Sequence, residues 1–349
     1  MSPPRTASSD IQAVDALLGA AGLTPGRRLL QGEGMKRRAQ RTLAAAAHPQ
    51  PARRVAKSRI EIVRVPTWDV WPWLLHGFST RTGGVTTAYR PAQRSGELNL
   101  GFTASDTRDN VLENRRRFLE ALGAPPSMKF VTLKQIHSSS IRHIARHVAR
   151  RDASDAQPCK GDGLMTNEPG VLLAIQTADC IPVLIADVKK KAVAAFHAGW
   201  RGTVKRIVEN GVGKMRVQFR SRPEDLVAAI GPGIGACCYA VGEEVRTEFA
   251  SQFTYAQELF QEVSDSDPIR EKYPLLFLTA RAPGHSNLGP SLHLDLMEAN
   301  RRQLLDAGLR SETITLIGDC TRCQNNRYFS YRAEQGFTGR MLSVVGIRA

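Results

Sequence analysis

Polar and apolar residues alternate through "SRIEIVRV", beginning at Ser58, as they do in a strand with one buried face. "LLHGFSTRTGG" from Leu74 predicts a second strand ending in a Thr-Gly-Gly turn, where glycine lets backbone approach a ligand closely. The period then lengthens. In "DTRDNVLENRRRFLEALG" an apolar stripe of Val111, Leu112, Phe118, Leu119 and Leu122 marks a helix, capped by Asp106 or Thr107 and stopped by Gly123. "MKFVTLKQIHS" returns to strand. Two near-continuous apolar runs follow, "GVLLAIQTADCIPVLIAD" and "KAVAAFHAGW", read as strands over 171–186 and 191–198 covered on both faces and joined by the charged turn "VKKK". "TVKRIVENGVGKMRVQF" has helical spacing, and "DLVAAIGPGIG" is a strand running into a glycine-rich turn. Residues 261–291 read as a loop-rich insertion, "LDLMEANRRQLLDAG" as a helix, and "RMLSVVGI" as a closing strand. Buried strands mixed with helices in this way predict an α/β fold.

A tight turn between the two apolar runs makes them an antiparallel hairpin, in which positions equidistant from the turn become neighbours. Cys180 and His197 each lie about eight residues from its centre. His137, in "LKQIHSSS", supplies a third group of the same chemical kind at a strand end. One cysteine and two histidines suit a zinc ion whose fourth position holds a water acidic enough to become a nucleophile. The same residues also fit blander roles, a small buried hydrophobe and two ordinary histidines.

The chain has 349 residues, 42% of them hydrophobic, enough for a sizeable core. No apolar run approaches the roughly 18 residues of a membrane span, so a soluble chain with no membrane partner is expected. Six irregularly spaced cysteines argue against a secreted disulfide framework and for a reducing cytoplasm. The net charge of +15 is uneven: residues 1–58 carry ten Lys/Arg against three Asp/Glu. That segment reads as a basic, disordered extension with at most one short helix around "IQAVDALLGAAGL", or as the product of a start placed upstream of a true one at Met35 or later. Residues 59–349 form the expected single catalytic domain. Aromatic residues make up only 6% of the chain and are scattered, so nucleic-acid binding is expected only through the tail.

"HGFSTRTGGVT", "LNLG", "KQIHS", "GDGLMT", "TADCIPVLIAD", "AAFHAGWRGT", "IGPGIGACCYAVGEEV", "DCTRC", "YFSYR" and "TGRMLSVVGI" occur in the order and approximate spacing of the YfiH family. Its members are also called laccase-domain or polyphenol-oxidase-like proteins. The likeness spans about residues 60–348. It implies a four-layer α/β/β/α sandwich with two mixed sheets, similar to the hydrolase domain of cytotoxic necrotizing factors. It also implies a zinc ion held by His137, Cys180 and His197. The implied chemistry is phosphorolysis of adenosine, inosine, guanosine or methylthioadenosine, with deamination of adenosine beside it. Some bacterial members resemble a peptidoglycan editing factor that hydrolyses L-Ser from a UDP-MurNAc-Ser precursor.

Deamination needs a proton shuttle, for which Asp162 and Asp179 are candidates. Phosphorolysis needs an anion site, for which Arg81 in "STRTGG" and Arg201 in "GWRG" are candidates because guanidinium binds phosphate in a bidentate fashion. Asn99 of "LNLG" joins Arg81, Asp162 and Arg201 as a substrate-binding candidate. A copper-dependent polyphenol oxidase is the main rival. Multicopper sites need many histidines, commonly as His-x-His pairs, and this chain has eight histidines and no such pair. Copper is therefore expected only as a replacement for zinc. "HIARH" places His143 and His147 one helical turn apart but reads as a basic surface segment, and "CTRC" without a second such pair is a weak metal signal.

Overall fold

A computed structural model describes residues 60–90, 96–145, 159–263 and 291–349. The expected extension at 1–58 and His147 lie outside the described residues. In chain order the strands are β1 (Ile62–Val63), β2 (Leu74–Ser79), β3 (Thr82–Thr86), β4 (Lys129–Val131), β5 (Ile141–His143), β6 (Gly163–Thr166), β7 (Val171–Thr177), β8 (Ile181–Asp187) and β9 (Ala192–Ala198). They continue with β10 (Leu226–Ile230), β11 (Ala240–Val241), β12 (Phe260–Val263), β13 (Ser291–Leu294), β14 (Ile314–Leu316) and β15 (Met341–Ile347). The α-helices are α1 (Arg108–Leu122), α2 (Trp200–Val204), α3 (Ile207–Phe219), α4 (Glu243–Gln252) and α5 (Leu296–Asp306).

Strand parity builds the layers. One sheet has the order β1-β2-β15-β7-β4, the other β14-β10-β8-β9-β6-β5, and each contains parallel as well as antiparallel pairs. Side chains alternate across a strand. Leu173, Ile175, Val345 and Ile347 of the first sheet accordingly meet Leu184, Ala186, Val193 and Ala195 of the second in one core. Their neighbours Leu172, Ala174, Leu342 and Val344 face outward onto Phe118 and Leu122 of α1. On the far side Val183, Ile185, Ala194 and Phe196 pack with Val208, Val212 and Met215 of α3 and Leu304 of α5. The result is the expected α/β/β/α sandwich with two mixed sheets, and it also explains why β7, β8, β9 and β15 read as continuous apolar runs: both faces of each are covered. A small antiparallel sheet, β11-β13-β12, adds to the expected pair; its strands β12 and β13 flank the insertion, whose residues 264–290 lie outside the described residues.

Helix α1 begins with Thr107 Oγ1 accepting from the Asn110 N–H and ends at Gly123 in the left-handed conformation, as the capping signals require. Leu112 leaves the predicted stripe and is exposed, while Asn114 is buried in its place and donates to the carbonyls of Glu97 and Asn99. The helix expected over 203–219 is interrupted by Arg206 at φ 57, which separates α2 from α3. The "TGG" of Thr82–Gly84 is not a ligand-facing turn. It lies in β3, and a Cβ on Gly84 would stand 2.0 Å from the Glu97 carbonyl oxygen, so its glycine serves backbone against backbone. His143 lies in β5, paired parallel to β6, and not on a helix. Among the described residues no helix is long and apolar enough to cross a membrane.

Candidate functional site

The first apolar run is two strands, not one. β7 belongs to the five-stranded sheet and β8 to the six-stranded sheet, and Ala178, Asp179 and Cys180 carry the chain from one to the other. Asp179 makes this step at φ 90. Its carboxylate is held on both sides, Oδ1 accepting from Thr321 Oγ1 and Oδ2 from the Arg332 N–H, each at 2.6 Å. Cys180 thus emerges at the edge where the two sheets part.

β8 and β9 form the expected hairpin with Ile181 opposite Ala198 and Pro182 opposite His197. Cys180 lies one step past the end of this ladder, next to Gly199, so it and His197 are diagonal rather than direct neighbours. Gly199 provides the necessary room: a Cβ there would stand 2.9 Å from Cys180 Sγ and 3.2 Å from the His137 ring. His137 arrives from the loop after β4 at φ 55, and Gln135 ties that loop to β7 by exchanging hydrogen bonds with the backbone of Gln176. One ligand atom from each of His137, Cys180 and His197 lies within 4.8 Å of the others, and Cys180 Sγ stands 3.9 Å from His137 Nε2. Donors about 2.0–2.3 Å from a tetrahedral zinc ion stand roughly 3.5 Å apart, so this set fits zinc after a small inward movement.

Asp162 organises the group without facing the cavity. Fully buried, it accepts from the backbone N–H groups of Ile136, His137 and Ser138, from Ser138 Oγ, and from His197 Nδ1 at 2.9 Å. Holding the Nδ1 proton leaves His197 Nε2 free as a ligand. Burial opposes charge on Asp162, but the donors from His197 and Ser138 outweigh it and hold the carboxyl down at about 2. Burial likewise pushes the Cys180 thiol up, yet the charge of His197 and hydrogen bonds from both imidazoles bring it down to about 6. Against its own burial, His197 is raised to about 9 by Cys180 and Asp162. Without a metal these shifts favour a thiolate beside an imidazolium, and a cation binding here would displace the imidazolium proton.

A cavity of about 590 Å³ opens over these residues, within the size range of small-molecule sites. Trp200, Tyr239 and Tyr331 line it with aromatic rings, and Lys134, Arg201, Arg332 and Arg340 line it with positive charge. Arg332 donates to the Ala240 carbonyl and Arg340 to those of Thr338 and Gly339, whereas Arg201 lies over the Trp200 ring at 4.4 Å and is exposed. Sequence reasoning placed Arg201 in the site but missed Lys134, Arg332 and Arg340, although "YFSYR" and "TGRM" contain the two arginines. Two other candidates are not brought there. Arg81 is 1% exposed and engages Glu97 and Glu334, and Asn99 spends its amide on Gly101, Asp106 and the Arg340 N–H. Neither lines the cavity.

Residues 75–348 match the family model described as multi-copper polyphenol oxidoreductase laccase. The purine nucleoside phosphorylase YlmD of Geobacillus stearothermophilus is 35% identical over 283 residues, covering 79% of this chain and 94% of its own. The purine nucleoside phosphorylase YfiH of Escherichia coli is 33% identical over 281 residues, covering 80% of this chain and 97% of its own. The crystal structure of the Geobacillus YlmD superposes with a TM-score of 0.63 at 32% identity, over 79% of this chain and 93% of that one. That of the Bacillus licheniformis hypothetical protein YfiH superposes with a TM-score of 0.67 at 28% identity, over 85% of this chain and 98% of that one.

Proposed function

This chain belongs to the laccase-domain family of YfiH and YlmD, and from that membership we propose that it is a zinc-dependent enzyme of purine nucleosides with phosphorolysis as its main reaction. The observation that carries the reading is the single cavity shared by the His137, Cys180 and His197 donors, three aromatic rings and four basic side chains. A zinc ion held by His137, Cys180 and His197 would supply a Lewis acid and an acidified water at its open position. The aromatic rings offer faces on which a purine can stack. Arg201, the cation with no carbonyl partner among Arg201, Arg332 and Arg340, would grip phosphate, with Lys134 and the other arginines adding to the positive field.

Deamination takes second place for a specific reason. Both candidate shuttles are engaged: Asp162 is buried under five donors and Asp179 binds Thr321 and Arg332 with its two oxygens. A carboxylate held down at about 2 is a poor proton carrier near neutrality. The oxidase reading is weaker still. Among the described residues only His137 and His197 belong to a histidine-containing group that could hold a metal.

One observation favours a second reading. Cys180, His197 and Asp162 stand in the thiolate, imidazole, carboxylate order of a cysteine hydrolase, which suits removal of L-Ser from UDP-MurNAc-Ser. The two readings compete for the same sulfur, because a metal-bound thiolate is not a free nucleophile.

Incubation of the chain and Cys180→Ala with adenosine, with and without phosphate, separates them when followed by product chromatography and metal analysis. Adenine formed only with phosphate, and only by the unsubstituted chain, is the expected result. Inosine formed without phosphate would put deamination first. No turnover of any nucleoside, together with release of L-Ser from the muropeptide precursor, would overturn the nucleoside reading.

A further inference from the structure

Four of the six cysteines lie outside the site just described and meet in space. Cys237 and Cys238 follow the glycine-rich turn after β10, and Cys320 and Cys323 follow β14, which runs parallel to β10. Beyond that ladder Gly233 still bridges to Cys320, so the two loops leave the sheet side by side. The four sulfurs lie within 4.8 Å of one another, with Cys323 Sγ 3.5 Å from Cys237 Sγ and 3.4 Å from Cys238 Sγ. All four thiols are free. Sulfurs about 2.3 Å from a tetrahedral zinc ion stand about 3.8 Å apart, close to the spacing found. The Gly235 N–H donates to Cys320 Sγ at 3.3 Å, a backbone donor aimed at a sulfur that would carry charge as a ligand. Cys238 and Cys320 are buried while Cys237 and Cys323 are exposed, which leaves an entry path on one side.

We propose that Cys237, Cys238, Cys320 and Cys323 hold a structural zinc ion, separate from the His137, Cys180 and His197 group. Four thiolates select a soft metal over magnesium or calcium, and the closed tetrahedral set has no open position for substrate. The thiols give up their protons to solvent as the ion binds. Its task is to clamp two loops that wall the cavity. Ile234 and Tyr239, which line the cavity, flank one cysteine pair, and Thr321, inside the other pair, holds Asp179 beside Cys180. The proposal stands whether or not the first site acts on nucleosides.

The test uses the full chain carrying Cys180→Ala and His197→Ala, which lacks two donors of the first site. It is expected to retain about one zinc per chain, with an X-ray absorption shell of four sulfurs at about 2.3 Å, and to lose that zinc when Cys320→Ser is added. Zinc with mainly nitrogen or oxygen neighbours, iron in its place, or a mass two hydrogens low for each bridge between the cysteine peptides would overturn the proposal. Should the added substitution prevent folding, the unsubstituted chain decides: two zinc ions per chain with a sulfur-rich mean shell, or one ion in a shell of four sulfurs, support it, and a single ion with mainly nitrogen neighbours overturns it.

Discussion

Asp162 and His197 face each other across 2.9 Å, and the same carboxylate gathers the backbone N–H groups of Ile136, His137 and Ser138. One buried side chain thereby sets both histidines of the proposed metal site. Asp162→Asn keeps the size but turns an NH2 toward some of these donors. It is expected to lower zinc affinity by about 10–100-fold, as loss of an outer partner to a ligand commonly does. Competition against a zinc chelator measures it, and unchanged affinity would remove Asp162 from this role.

Arg81 and Arg201 separate structure from binding. Arg81 lies between Glu97 and Glu334, at 2.6 and 2.9 Å, and Arg81→Ala leaves the buried Glu97 and the half-buried Glu334 with Arg90 as their remaining ion-pair partner, at 3.8 and 3.9 Å. Breaking a buried pair in this way costs about 3–5 kcal/mol, so a large fall in thermal midpoint is expected. Arg201→Ala should leave the midpoint almost unchanged and raise KM for phosphate at least about tenfold, the equivalent of one charge-assisted hydrogen bond. Equal effects of the two substitutions on KM, with equal midpoints, would contradict this division.

His76 makes stability depend on pH. Burial, helped by the charge of Arg64, lowers it from 6.5 to about 4, and its Nε2 accepts from the Val65 N–H, which requires the neutral ring. Below 6.5 the unfolded chain takes up a proton that the native ring refuses until about 4. The contribution is therefore whole above 6.5, declines as pH falls toward 4, and amounts to about 3 kcal/mol at most. Denaturant midpoints of the chain and of His76→Gln, measured between these limits, should converge as the solution is acidified. Parallel profiles would show that His76 does not titrate with folding.

Two glycines of α3 respond oppositely to alanine. A Cβ on Gly211 would stand 2.3 Å from the Phe196 ring, whereas one on Gly213 meets nothing within 4 Å. Overpacking of this kind typically costs about 1–3 kcal/mol, while Gly→Ala in an open helical position adds about 0.5–1 kcal/mol. Calorimetry is expected to show Gly211→Ala melting earlier and Gly213→Ala later than the unsubstituted chain.

The amino-acid sequence by itself determined the local elements. The apolar runs specified strands buried on both faces, the Thr107 and Gly123 signals bounded α1, and a charged turn set the β8–β9 hairpin that brings Cys180 toward His197. These follow from periodicity and turn chemistry, which act over a few residues. The tertiary structure alone decided what spans sheets. Only Asp179 marks the break at Ala178–Cys180 locally, because the apolar segments on either side, covered by different layers, read together as one long strand. Arg81 looked like a binding residue at a glycine turn, and only its enclosure by Glu97 and Glu334, 16 and 253 residues away, assigns it to the interior. "CTRC" is weak as a motif for the same reason: its partners Cys237 and Cys238 lie some 85 residues earlier and meet it because β10 and β14 are parallel neighbours, a pairing made by the fold and written in no single stretch of the chain.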